Sequence, residues 1–375
     1  MAALTSYKRI IIKIGSALLV DASSGNIRTD WLRGLAADVA KLKSLGQDVI
    51  LVSSGSIALG RSVLKLSDDV LSLEESQASA AVGQIRLAQA YEAALGTLGI
   101  KTAQILLTLE DSSDRRRYLN SRRTMTALLG LDVVPIVNEN DTVATDEIRF
   151  GDNDRLASQV ASMVEGDLLI LLSDVDGLYT GDPRIDKTAQ HIPIIEKITP
   201  EMEFGAGGTG SLSSKGGMKT KVMAAKTAMS AGCEMVIMEG DINRPISVLA
   251  SGVKSSWFKS SNTPKLARKI WIFGMKPKGI IVIDEGAEIA LRVGKSLLSV
   301  GVKSINGTFD RGDMVCIQNE MQKELGKGLV SYDIREAKLI SGKKTKDIAS
   351  ILGYEGRGAL IHRDDMVCEA LWILN

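Results

Sequence analysis

Five segments of the sequence collect residue types that can handle a phosphate or a small charged substrate. Lys13 closes the apolar run Ile10-Ile11-Ile12 and precedes Ile14-Gly15-Ser16, so a cation stands beside a glycine where a phosphate could approach the backbone. A surface lysine next to a turn glycine would look the same. In Val52-Ser53-Ser54-Gly55-Ser56, a strand-like run passes into hydroxyls and glycine before a helix-like stretch through Gly60. Free N–H groups and a helix dipole there would hold an anion, and an ordinary serine cap reads equally well. The densest polar cluster is Asn138-Glu139-Asn140-Asp141-Thr142, followed by Gly151-Asp152-Asn153-Asp154. Asp141 could grip the ammonium of an amino acid while Asn153 and nearby N–H groups take its carboxylate. A solvated acidic loop is the other reading; a calcium loop is disfavoured because the EF-hand spacing and its last glutamate are missing.

The fourth segment, Ser173-Asp174-Val175-Asp176, follows the apolar run Leu168–Leu172 and leads to Leu178-Tyr179 and Asp182-Pro183-Arg184. An acid at a strand tip could hold lysines in place or orient Mg²⁺, with the turn beyond it accommodating a nucleotide; two aspartate-rich turns are the alternative. The fifth is the glycine- and serine-rich run Gly205–Gly217, ending in Lys215-Gly216-Gly217-Met218-Lys219-Thr220-Lys221 before an alanine-rich helix. Glycines, hydroxyls and lysines at a helix start form a phosphate clamp, and a loop without a ligand is its rival. Gly205, Gly207 and Gly210 match the dinucleotide fingerprint, but no strand precedes them. Gly294-Lys295-Ser296 resembles the end of a Walker A loop, yet Ile289 stands where its first glycine belongs. The two histidines, His191 and His362, lie outside all five segments, which disfavours a histidine-based nucleophile relay. A carboxylate needs no base to accept a phosphoryl group, because it is already ionised at neutral pH.

These segments require a scaffold that places strand ends together. The runs Ile10–Ile14, Val49–Val52, Thr102–Leu107, Val133–Val137 and Leu168–Leu172 are apolar throughout rather than alternating. They predict strands buried on both faces in a mainly parallel α/β sheet, covered by helices at Trp31–Leu45, Gln77–Leu98 and Lys219–Ser230. Ligands of such sheets bind at the carboxyl ends of strands. The polar, basic stretch Ser255–Lys269 reads as a linker, and residues 259–275 are taken to separate a first domain, 1–258, from a second, 276–375. The second domain predicts a β-rich module with strands at Gly279–Ile283, Ala287–Val293, Met314–Gln318 and Gly328–Ser331 and a helix at Thr345–Leu352.

Composition narrows the classes. The 375 residues are 45% hydrophobic and 24% charged, enough for two cores, and the formal net charge of +1 gives no general attraction to nucleic acid or anionic membrane. Cys233, Cys316 and Cys368 are far apart with no CxxC pair, so neither a disulfide framework nor a zinc site is indicated. The chain reaches a strand-like stretch at Ile10, leaving no room for a signal peptide, and no apolar run approaches the ~18 residues of a membrane span. A cytoplasmic protein is expected.

With Ile12-Lys13-Ile14-Gly15-Ser16, Val52–Gly60, Ala81-Val82-Gly83-Gln84, Tyr118-Leu119-Asn120, Val137–Val143 and Gly151–Asp154 in place, the chain resembles the glutamate 5-kinases of the amino acid kinase family over nearly its whole length. The run Asn138–Thr142 joined to Gly151–Asp154 carries most of that resemblance. It implies an αβα sandwich around a mainly parallel sheet, followed by a PUA domain matched at Gly279–Ala287, Lys295–Leu298, Phe309–Asp313 and Ile351–Tyr354. It further implies ATP-dependent phosphorylation of the side-chain carboxylate of L-glutamate, giving L-glutamyl 5-phosphate, the first step of proline biosynthesis, with proline as a feedback inhibitor. Lys13 and Lys221 are implied as the lysines on the transferring phosphoryl group with Asp174 organising them, Ser54, Asp141 and Asn153 as the glutamate site, and Lys13, Ser173, Asp174 and Lys215, Gly216, Gly217, Met218, Lys219, Thr220 and Lys221 as the ATP site, with Mg²⁺ bridging the phosphates. A homo-oligomer and functional coupling to a glutamyl phosphate reductase are implied; RNA binding by the PUA domain is possible but not expected. The chain departs from the family at Ser213-Ser214-Lys215, where an extra cation enters the phosphate loop, and at Ser255-Ser256-Trp257-Phe258. The competing readings are a same-fold kinase acting on another small acid, and an RNA-binding PUA protein whose kinase-like domain is a scaffold.

Overall fold

In the first strand, Ile10, Ile12 and Ile14 belong to one apolar core and Ile11 to another; in a later strand Leu168, Ile170 and Leu172 divide from Leu169 and Leu171 in the same way. Consecutive side chains of a strand point to opposite faces, so a strand apolar throughout must be covered twice. The computed structural model describes residues 4–67, 69–144, 153–205 and 217–368. Its chain divides into two compact units, Met1–Lys265 and Leu266–Asn375.

The first unit contains strands β1 (Arg9–Ile14), β2 (Asp48–Ser53), β3 (Lys101–Leu107), β4 (Val133–Glu139), β5 (Leu168–Ser173), β6 (Leu178–Tyr179), β7 (His191–Ile192), β8 (Ile194–Ile195), β9 (Glu234–Glu239) and β10 (Ser255–Phe258). Eight of them form one sheet in the order β3-β4-β2-β1-β5-β9-β10-β8, while β6 and β7 pair as a separate hairpin. Pairings from β3 across to β9 are parallel, and β10 runs antiparallel to β9. The expected parallel α/β sheet is therefore present. Helices Thr29–Ser44 and Leu73–Gly96 supply Leu35, Val39, Leu87 and Tyr91 to one face. Helices Asn153–Met163 and Met218–Ser230 supply Val160, Ala161, Ala225 and Ala228 to the other.

Ser255–Phe258, expected in a linker, is instead the strand β10, and Pro264–Phe273, inside the range 259–275, is a helix. The polar composition misleads because the two serines are used internally. Ser256 Oγ accepts from the Leu178 N–H at 2.7 Å and donates to the Ile192 carbonyl at 2.6 Å, tying the β6–β7 hairpin to the sheet.

The second unit holds a five-stranded sheet, with β11 (Gly279–Ile283), β12 (Val302–Gly307), β13 (Met314–Asn319), β14 (Glu324–Leu329) and β15 (Met366–Cys368) in the order β12-β11-β13-β14-β15. The expected strand Ala287–Val293 is a helix, Glu285–Arg292: the Asp284 carboxylate caps it by accepting from the Ala287 N–H at 2.8 Å, and Glu288 pairs with Arg292 one turn on. Gly328–Ser331 lies at and beyond the end of β14, and Thr345–Leu352 is a 3₁₀ turn running into the short helix Ile348–Leu352.

Candidate active site

Lys13 shares its face of β1 with Ile11, the face on which helices Asn153–Met163 and Met218–Ser230 pack. Those helices bring Asp154 and Lys221 to it. Lys13 Nζ lies 2.6 Å from Asp154 Oδ1, and Lys221 Nζ lies 2.9 Å from Asp154 Oδ2. The side chains are 11%, 1% and 6% exposed for Lys13, Asp154 and Lys221, so the pairs are shielded from solvent. Burial works to raise the Asp154 pKa, but the two ammonium charges and their hydrogen bonds outweigh it and hold the carboxyl below its ordinary value. Two cations on one carboxylate leave excess positive charge at the ends of β1 and the second helix, suited to an anion that gains charge during reaction.

The organising contact expected of Asp174 is thus made by Asp154. Asp174 stands exposed just past β5, where its Oδ1 accepts from the Ser173 hydroxyl at 2.9 Å. It is a strand-end carboxylate facing solvent, whereas Asp154 opens a helix directed at β1.

Asn153, one residue earlier, enters a different network. Its Nδ2 donates toward the Ser53 carbonyl at 3.0 Å, Ser54 Oγ at 2.6 Å and Asn138 Oδ1 at 3.2 Å. The amide nitrogen expected to meet a substrate carboxylate is therefore turned inward. Asn138 Nδ2 donates to Gln84 Oε1 at 2.8 Å and, more weakly, to Ser56 Oγ at 3.4 Å; Ser56 Oγ in turn donates to Asp141 Oδ2 at 3.0 Å. Burial raises the Asp141 pKa, opposed by the Ser56 hydrogen bond. Ser54, Asp141 and Asn153 are thereby joined through Asn138 and Ser56, at the ends of β2 and β4.

Two glycines make this possible. A Cβ on Gly60 would stand 1.7 Å from the Ser79 carbonyl oxygen, and one on Gly83 1.8 Å from that of Ser56. Only glycine lets helices Ser56–Leu64 and Leu73–Gly96 come this close, and their approach presents Ser56 and Gln84 to Asn138.

Gly217 caps the helix that carries Lys221, with Met218 and Thr220 half-buried and Lys219 exposed. Lys215 and Gly216, like Gly151 and Asp152, lie outside the described residues. Beside the same helix, a cavity of about 420 Å³ is lined by Arg155, Lys219, Met223 and Thr227 but not by Lys13 or Lys221.

Asp154, Ser56 and Gln84 received no role from the sequence. A signal existed for the first: a carboxylate beside Asn153 at a helix start. Ser56 and Gln84 lie in segments already marked, but which side chain of a small-residue run turns inward depends on the glycine contacts.

A mainly parallel sheet with one lysine at a strand end and a second brought to it by a helix, beside a separate hydrogen-bonded polar network, is the arrangement of a small-molecule kinase. The amino acid kinase family profile matches residues 8–239, and the PUA domain profile matches residues 279–352. A glutamate 5-kinase of Ruegeria sp. (strain TM1040) is 58% identical over 366 residues, covering 98% of this chain and 100% of that protein. Those of Paracoccus denitrificans (strain Pd 1222) and Jannaschia sp. (strain CCS1) are 57% and 59% identical, covering 96% and 98% of this chain and 97% and 100% of theirs. The chain belongs to the amino acid kinase family and, within it, to the glutamate 5-kinases. Among the described residues no helix is long and apolar enough to cross a membrane.

Proposed function

We propose that the chain transfers the γ-phosphoryl group of ATP to the side-chain carboxylate of L-glutamate, forming L-glutamyl 5-phosphate and ADP as the opening step of proline biosynthesis, with proline inhibiting at or near the glutamate site. One observation carries the reading. Asn153 and Asp154 are consecutive, yet the first enters the Ser54–Asn138–Asp141 network and the second holds Lys13 and Lys221. A substrate gripped by the first would have its far carboxylate next to the lysines of the second.

In this mechanism Asp141 takes the ammonium of glutamate, and Ser54 and Asn153 orient its backbone end. An oxygen of the side-chain carboxylate, ionised at neutral pH, forms a bond to the γ-phosphorus as the bond to the ADP oxygen breaks; no proton has to move. Lys13 and Lys221 stabilise the charge on the transferring oxygens, and Asp154 keeps the two ammonium groups together and immobile. Ser173, Asp174 and the segment from Lys215 to Lys221 contact the nucleotide. Both Asp154 oxygens are taken by lysines, and among the described residues no group of three or more metal-ligating side chains occurs. Asp174, exposed past β5, would help hold Mg²⁺ brought with the nucleotide, and the ion when bound would supply further charge neutralisation. The PUA unit serves assembly or regulation.

The test is Mg²⁺-ATP turnover with glutamate, acetylglutamate or aspartate, trapping acyl phosphate with hydroxylamine and repeating with proline. Hydroxamate that depends on glutamate and is suppressed by proline is expected. Turnover only with another acid would overturn the substrate assignment.

A further inference from the structure

The polarity of the hydrogen bonds around Asn153 can be followed from a fixed end. The Ser53 carbonyl can only accept, so the Asn153 atom 3.0 Å from it must be Nδ2. That nitrogen also faces Asn138, 3.2 Å away, so the Asn138 atom there must be the acceptor Oδ1. Asn138 Nδ2 is then directed to Gln84, which must present Oε1, at 2.8 Å. Asn138 is 1% exposed, so no solvent molecule substitutes for a partner that fails. The weaker 3.4 Å approach to Ser56 Oγ favours the same orientation, because that hydroxyl gives its one hydrogen to Asp141 and can only accept here, but Gln84 at 2.8 Å is the closer partner.

From this we infer that Gln84, which no role in the reaction has yet been given, is a positioning residue for the amino-acid substrate: its Oε1 holds the Asn138 amide in place, and Asn138 together with the Ser53 carbonyl holds the Asn153 amide turned inward. The consequence reaches the pocket as a pattern of donors and acceptors. With Nδ2 turned inward, Asn153 offers Oδ1, which has no hydrogen-bond partner among the described residues and suits an ammonium. Ser54 Oγ already accepts from Asn153 at 2.6 Å, so its hydrogen is left to donate, and suits a carboxylate. An amino acid carries both groups on one carbon. If Asn138 turned over, its Nδ2 would oppose the Asn153 Nδ2, donor against donor, and would push Asn153 from its place beside the Ser53 carbonyl and Ser54 Oγ, disturbing the pattern. Gln84 sits half-buried on the helix Leu73–Gly96, whose approach at Gly83 puts it within reach.

The inference rests on the assignment of Ser54 and Asn153 to the glutamate site, and the experiment separates the two. Steady-state requirements for glutamate and for ATP are measured in Gln84→Met, Gln84→Glu and Asn153→Ala. Methionine keeps the length and removes the acceptor; glutamate keeps an acceptor. Gln84→Met should raise the KM for glutamate on the order of tenfold while leaving that for ATP within about twofold. Gln84→Glu should restore most of the difference, which a merely structural role for the side chain would not produce. An unchanged glutamate KM in Gln84→Met, an equal rise for both substrates, or a Gln84→Glu no better than Gln84→Met would overturn the inference while Asn153→Ala still raises the glutamate KM. If Asn153→Ala changes nothing either, the site assignment falls and the inference with it. Should Gln84→Met not fold, Gln84→Lys, a donor in place of the acceptor, is judged by the same criteria.

Discussion

Replacing Asp154 by asparagine isolates what the shared carboxylate does. The side chain keeps its shape, but its two oxygens become one acceptor and one donor. Lys13 Nζ and Lys221 Nζ, now 2.6 and 2.9 Å from separate oxygens, cannot both be satisfied, and one ammonium faces N–H groups. With Asp154 1% exposed, water does little to relieve this. Removing one partner of a buried ionic group costs about 3–5 kcal/mol, a large share of a domain's stability. Loss of a fixed charge arrangement at the reacting phosphoryl group lowers turnover on the order of 10²–10³-fold. Both are expected in Asp154→Asn: kcat down by that factor, read by coupled ADP release, and a lower urea midpoint. The pH dependence adds a separate check. Because the folded protein holds the Asp154 pKa below its unfolded value, the ion pairs contribute their full stability above that unfolded value. They lose it as pH falls through the lowered folded value. The stability gap between wild type and Asp154→Asn should therefore be widest near neutral pH and close in strong acid. A variant with wild-type turnover, or a gap constant down to strong acid, would refute the reasoning.

Two further outcomes follow from the pocket. Asp141→Asn should raise the glutamate KM at least about tenfold with little change for ATP, as loss of a charge-assisted bond predicts; equal effects on both would contradict its placement. Since burial raises the Asp141 pKa, the wild-type glutamate KM should climb on acidification before ordinary carboxylates titrate, and the Asn variant should show a flatter profile. Gly83→Ala improves helix propensity by about 1 kcal/mol, but its Cβ would lie 1.8 Å from the Ser56 carbonyl oxygen. Overpacking of about 1–3 kcal/mol should win, lowering the melting temperature and weakening glutamate binding through Ser56; a raised melting temperature would refute the close-contact argument.

Why some of this was legible in the residues, and some not, has physical reasons. Strands such as Leu168–Ser173 are apolar at every position because both faces are covered, a pattern that depends on composition alone. The strand Ser255–Phe258 and the helix Glu285–Arg292 depart from their sequence patterns for opposite reasons. In the first, the buried Ser256 hydroxyl satisfies backbone groups of a neighbouring hairpin and Ser255 bonds the Val253 carbonyl, so polarity does not mean exposure. In the second, a cap at Asp284 decided between helix and strand for a short stretch whose apolar residues suit either.

The site divides along the same line. Lys13, Ser54, Asp141, Asn153 and Lys221 could be proposed from sequence because each type suits an anion or an amino acid and each lies in or beside a polar segment that follows an apolar run or opens a helix. What sequence could not convey is which partner each one meets. Asp174 and Asp154 are both carboxylates near strand ends, but only a helix packed on the Ile11 face of β1 can reach Lys13. Parity along β1 assigns Lys13 to that face, so the choice between the two acids was set by which helix covers it, a fact of tertiary packing. Gln84 is further removed: its place follows from two glycines whose contacts, 1.7 and 1.8 Å from backbone oxygens if either carried a Cβ, lie between segments distant in sequence. Residues that touch a ligand can be read by type; residues that orient them are chosen by the fold, and polarity carried from a backbone carbonyl through two amides is how the fold here makes that choice.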